Sequence, residues 1–241
     1  MTNVISAECQ LILLLLGLYF YECCFFVYTN QALVAKSYRG TWEVSLGSDR
    51  WIYKGKELCF LNPLTPLRPV SALSWSLKRL SNLNSENAIG NDRQYTHYKI
   101  LAFCLAIALF LVFPIVLIAA PTDQNVLGVL LLIYLLVLYI NLSVFLERSF
   151  FHLSSRESLS TAAEYLFCPP LAVNVVRRLS LGSKDRLDFV EWLVKAPITA
   201  QQRESIRRAM LQRIDDAIQL SVGNEERLEM MQRKDQIANL N

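Results

Sequence analysis

The chain has 241 residues, 53% of them hydrophobic, and its 24 Lys and Arg against 21 Asp and Glu leave a net charge of only +3. That apolar share is high for a soluble protein, while 19% charged residues need water around them. A wholly soluble and a wholly buried protein are both disfavoured, and the near balance of charge argues against a nucleic-acid partner.

The charges are not spread evenly. All Lys and Arg fall in residues 30–99 and 147–241, ten and fourteen of them, and the apolar runs between carry none. Basic residues are retained on the cytoplasmic side of membrane helices, so this partition implies a fixed orientation. Three runs are long and apolar enough to be read as spans: Leu11 to Tyr28, Ile100 to Ala120 and Val126 to Leu146. The first has Glu22 inside it and lacks both the basic start and the small-residue end of a cleaved signal sequence. Pro121 to Asn125 joins the other two as a tight hairpin turn.

The expected fold is therefore mainly α-helical and integral to the membrane: three transmembrane helices, N-terminus out and C-terminus in, with a small cytoplasmic β-meander and a cytoplasmic C-terminal helical bundle. Its divisions are residues 1–29, the N-terminal segment and first span; 30–99, the cytoplasmic loop; 100–146, the transmembrane hairpin; and 147–241, the helical domain. The expected location is a plasma or bacterial inner membrane, with most soluble mass in the cytoplasm.

The 30–99 loop begins with alternating and β-branched stretches at Thr41 to Leu46, Arg50 to Tyr53 and Glu57 to Leu61, separated by turn residues, which predicts the meander. Two or three short strands need support from another element. Asn62 to Pro69 carries a proline every third residue, the pattern of an extended polyproline II spacer. Pro63, Pro66 and Arg68 also spell P-x-x-P-x-R, a pattern read by SH3-type grooves. Ser74 to Leu80 suits a short amphipathic segment, and Ser81 to Asn91 a linker.

In the tail, Ser154-x-x-Glu157 and Thr199-x-x-Gln202 are capping-box starts, while Cys168-Pro169-Pro170 and Gly182 mark breaks. Helices are expected over Arg156 to Phe167, Leu171 to Leu181, Lys184 to Lys195 and Ala200 to Ser221. In the last, Ile206, Met210 and Ile214 form an apolar stripe that is a candidate partner surface as well as a candidate core. Arg177-Arg178 reads as part of a solvated, mixed-charge face. The segment from Asn224 onward offers Leu228, Met231 and Ile237 as anchors for docking.

Inside the apolar runs the notable polar groups are Glu22 and Asn141. Each lies about six residues from the inner end of its span, so a Glu22 to Asn141 hydrogen bond at matching depth, level with Ala106 on the antiparallel second span, is expected to align the bundle. Pro114 removes an N–H from the middle of the second span and predicts a kink there. The two histidines, His97 and His152, flank the spans without metal-ligand spacing, the six cysteines form no zinc or disulfide pattern, and no phosphate-binding, nucleophile-elbow or dinucleotide motif occurs. No catalytic, cofactor or metal residue is assigned. The leading reading is a multi-pass, non-catalytic scaffold or assembly subunit in the lipid bilayer, bound to a protein partner or to copies of itself. Its alternatives are a channel or transporter subunit built on Glu22 and Pro114, and a membrane-surface lipid-modifying enzyme built on the basic 30–99 loop and the two histidines.

Overall fold

The structure, a computed structural model, describes residues 6–28, 31–36, 42–45, 48–53, 56–74, 95–119, 122–151, 153–182, 189–195, 198–220 and 224–239. His152, the turn at Pro121 and the expected segments at residues 75–91 lie outside them. The described chain is mostly helical and divides into two compact units. Unit 1 takes Met1–Cys24, Leu61–Pro69 and Asp92–Lys184; unit 2 takes Phe25–Phe60, Val70–Asn91 and Asp185–Asn241.

Unit 1 opens with helix α1, Ala7–Glu22, whose N-cap Ser6 accepts a hydrogen bond from the Cys9 N–H at 3.4 Å. Here the first expected span is corrected. The helix stops at Glu22, and Cys24–Tyr28 forms strand β1 instead. At 16 residues α1 is about 24 Å long, short of a hydrocarbon core of about 30 Å. Hydropathy cannot separate a helix from a strand in Phe25-Phe26-Val27-Tyr28, but aromatic and β-branched residues favour the strand.

The second and third apolar runs form the expected long helices. One comprises α2, Thr96–Ile107, a π-helical segment Ala108–Val112, and α3, Phe113–Ala119; the other is α4, Asp123–Leu146. Each totals 24 residues, about 36 Å, and both are long and apolar enough to cross a membrane. The expected disturbance at Pro114 takes the form of that π segment: Phe113 donates to the Ala108 carbonyl, five residues back, immediately before the missing proline N–H.

The hairpin packs through Ala102, Leu105, Leu109 and Phe113 on one side and Ile133, Val137, Ile140 and Val144 on the other. Spacings of three and four place each set on one helix face. The opposite faces, including Phe103, Leu111 and Ile118 on one helix and Leu131, Leu135 and Leu142 on the other, are exposed and apolar. Three further helices complete the unit: α5, Ser155–Phe167; α6, Pro169–Ala172; and α7, Val175–Gly182. They pack on α4 and α2, and α6 also packs on α1. The Ser154 and Glu157 capping box forms as read, with Glu157 N–H donating to Ser154 Oγ at 3.2 Å and Ser154 N–H to Glu157 Oε2 at 2.8 Å.

Unit 2 holds two three-stranded sheets. One is ordered β1-β5-β4, with β4 at Ser48–Tyr53 and β5 at Lys56–Phe60; the other is β3-β2-β6, with β2 at Gln31–Lys36, β3 at Trp42–Ser45 and β6 at Val70–Ser74. The hairpin of β4 and β5 matches the expected meander, but β3 pairs with β2 and not with β4. Ala32, Leu33 and Val34 explain the change, because this apolar run takes the central place, buried, with antiparallel partners on both edges.

Helices α8, Phe189–Lys195, α9, Ala200–Leu220, and α10, Asn224–Ala238, build one core with that sheet: Ala32, Val34 and Leu73 meet Trp192, Met210, Ile214 and Ile237. The Trp42 and Trp192 rings meet edge to face at 5.6 Å. The tail is thus shared between the units rather than forming one bundle. Met210→Ala and Ile214→Ala should each destabilise unit 2 by about 2–5 kcal/mol. Tryptophan fluorescence during chemical unfolding of the full chain in detergent reads this out, and an unchanged midpoint for both would refute core burial.

Candidate functional site

A polar cluster in unit 1 surrounds Arg177, where α7, the end of α1 and the Leu61–Pro69 segment meet. Arg177 is 1% exposed, although Arg177-Arg178 read as a solvated face from the sequence. The signal was present in its flanks: Val173, Val175, Val176 and Leu179 leave little polar surface for an arginine on that helix.

Its guanidinium is spent on main-chain acceptors. Nη2 donates to the carbonyl oxygens of Asn62 and Thr65, the latter at 2.7 Å, and to Thr65 Oγ1 at 3.2 Å; Nη1 donates to Asn174 Oδ1 at 3.3 Å and to Cys23 Sγ at 3.6 Å. Burial pulls the Arg177 pKa down from its ordinary value, with the neighbouring Cys23 opposing the shift, yet an arginine remains charged at neutral pH. Burial likewise pushes up the thiol of Cys59 in unit 2, which lies 2.9 Å from Ser45 Oγ.

The same contacts correct the polyproline reading. Residues 62–68 make two successive turns, with Thr65 N–H donating to the Asn62 carbonyl at 3.2 Å and Arg68 N–H to the Thr65 carbonyl at 3.3 Å. Asn62 starts the first by accepting the Leu64 N–H on its side chain at 2.9 Å. Pro63 and Pro66 are half-buried and Arg68 is buried, so the P-x-x-P-x-R pattern is folded inward. Tyr19 Oη donates to the Pro63 carbonyl.

Glu22 and Asn141 each have a partner other than the one expected. Glu22 Oε1 lies 3.8 Å from Arg178 Nε, and Arg178 also pairs with Glu164 and sits 5.6 Å over the Tyr165 ring. Asn141, buried, donates to the Ala162 carbonyl of α5 at 3.2 Å. No hydrogen bond joins the two among the described residues. Nearer the start of α2, Tyr98 Oη donates to Glu147 Oε2 at 2.9 Å and His97 Nε2 is 3.5 Å from Ser143 Oγ.

The Tyr19 ring is 5.1 Å from that of Phe110, and α1 packs on α3. Buried non-helical backbone needs internal donors. Arg177 supplies them to Asn62 and Thr65, while the Leu61 N–H donates to the Cys23 carbonyl at 2.9 Å.

The candidate partner residues of unit 2 are placed differently. Met210 and Ile214 are buried in the core and Ile206 packs against it, which leaves Leu228 and Met231, exposed on α10 at helical spacing. A buried ion pair, Arg213 with Glu57, ties α9 to β5. Among the described residues no three His, Cys, Asp or Glu side chains are grouped to hold a metal. Compared with known protein families, curated proteins and solved structures, the chain matches none significantly.

Arg177→Lys should lower stability by on the order of 3 kcal/mol, because an ammonium cannot serve the Asn62, Thr65 and Asn174 acceptors with a planar fork. Limited proteolysis of the full chain in detergent should then cut within residues 62–68 first. Wild-type resistance there would show that the carbonyls do not depend on Arg177.

Proposed function

We propose that this chain is a multi-pass membrane scaffold or assembly subunit that works without catalysis, holding unit 2 at a bilayer for a protein partner. The observation that carries the reading is the pairing of the polar groups in unit 1. Glu22, Asn141, Tyr98 and Arg177 are each engaged by another group of the same unit, in keeping with structural contacts rather than stations of an ion path. The exposed faces of the two long helices are apolar along their length, which suits lipid.

In this reading the charge partition orients the hairpin with Thr96 and Leu146 toward the cytoplasm. Unit 2 closes its own core, and α10 presents Leu228 and Met231, 61% and 45% exposed, as the anchors of the partner surface. These take the place of the Ile206, Met210 and Ile214 stripe.

Crosslinking in intact cells, mild extraction and quantitative mass spectrometry test the proposal. A stoichiometric protein should copurify, and the pair Leu228→Ala with Met231→Ala should reduce its recovery at least about tenfold, the loss of roughly 1.4 kcal/mol, without changing the expression of the chain. Recovery of the chain alone, or binding indifferent to that double variant, would sink the reading.

A further inference from the structure

We infer that α5 and the turn after it form a re-entrant hairpin, which dips into the leaflet on the Leu146 side and sets its outward face against lipid acyl chains. The inference rests on the membrane reading above and assigns to lipid a surface outside the two long helices.

Two hydrogen bonds within unit 1 fix the level of α5 along α4. The Leu153 N–H donates to the Arg148 carbonyl at 2.8 Å, turning the chain back just beyond Leu146, and Asn141 Nδ2 donates to the Ala162 carbonyl at 3.2 Å. Between these two points α5 runs beside α4 and antiparallel to it. Phe167, five residues past Ala162, is then level with about Leu136, about 15 Å from the Leu146 end and close to the middle of α4. There the chain turns at Cys168-Pro169-Pro170, and by Arg178, which pairs with Glu164, it has returned. At 13 residues α5 is too short to span and has the length of a re-entrant segment.

The outward face and the tip both suit hydrocarbon. Arg156, Leu159, Ser160, Ala163 and Phe167 are exposed and recur at helical spacing, so they share one side of α5. The charged member, Arg156, is level with the end of α4, while Ser160 Oγ donates to Glu164 Oε1 at 3.3 Å. Leu159 is 67% exposed and Phe167 90%, the most exposed large apolar side chain among the described residues. At the tip Pro169 and Pro170 have no N–H to satisfy, the Cys168 N–H donates to the Glu164 carbonyl at 2.9 Å and the Leu171 N–H to the Cys168 carbonyl at 3.0 Å. Glu164 and Glu22, the carboxylates nearest this turn, are both set against Arg178. The exposed apolar face of α4 at Leu135 and Leu138 lies at the level of Phe167, so the lipid that covers one meets the other.

The test is photolabelling of the unmodified full chain in phosphatidylcholine nanodiscs, with a diazirine at the end of one lipid acyl chain and the adducts located by mass spectrometry. Phe167 should be labelled as strongly as Leu135 on α4 and at least about tenfold more than Arg156, because the probe stays within a hydrocarbon core of about 30 Å. If Leu135 is labelled but Phe167 no more than Arg156, the inference falls and the membrane reading stands; water, a partner protein or a second copy covering α5 gives that result. If Leu135 is not labelled, both fall.

Discussion

The hydrogen bonds from Arg177 to the Asn62 and Thr65 carbonyls are the constraint around which unit 1 is organised. A chain that leaves a helix partway along a hydrophobic hairpin must bring irregular backbone into apolar surroundings, and each unsatisfied carbonyl there is destabilising by on the order of 1–3 kcal/mol. One guanidinium serves several acceptors because its donors are arranged in a rigid plane. The turns at residues 62–68, the end of α1 at Cys23 and the start of α7 at Asn174 are all within reach of that plane. The burial of a cation is thus the counterpart of an early helix end.

That early end separates what local sequence encodes from what distant contacts decide. The hairpin was legible because uninterrupted apolar runs of more than 20 residues have few alternatives. Both capping boxes were legible because their partners are three residues apart, and Thr199 with Gln202 forms the second at 3.2 Å in each direction. The break at Cys168 falls where the prolines put it.

The remainder was not legible, and for a common reason. Whether Phe25 to Tyr28 continues a helix or begins a strand depends on β5, and residues 62–68 turn because of an arginine 115 positions away from Asn62. The same holds for the stripe of α9: its periodicity showed an apolar face but not what covers it, which is sheet β3-β2-β6. At the site, Glu22 and Asn141 were identified as structural polar groups from their apolar surroundings alone. Their partners, Arg178 and the Ala162 carbonyl, lie on helices whose arrangement no local window contains.

The interleaving of the two units has a consequence for biosynthesis. The chain passes from one unit to the other five times, and the contacts that complete each join residues far apart in synthesis: 154 positions separate Cys23 from Arg177, and 156 separate Glu57 from Arg213. At translation rates of about 5–20 residues per second, the end of α1 waits roughly 8–30 s for its arginine. During that interval the Cys23 thiol and the Asn62 and Thr65 carbonyls lack the guanidinium that finally holds them. A truncation within α7 therefore forfeits the partner of an element that was synthesised first.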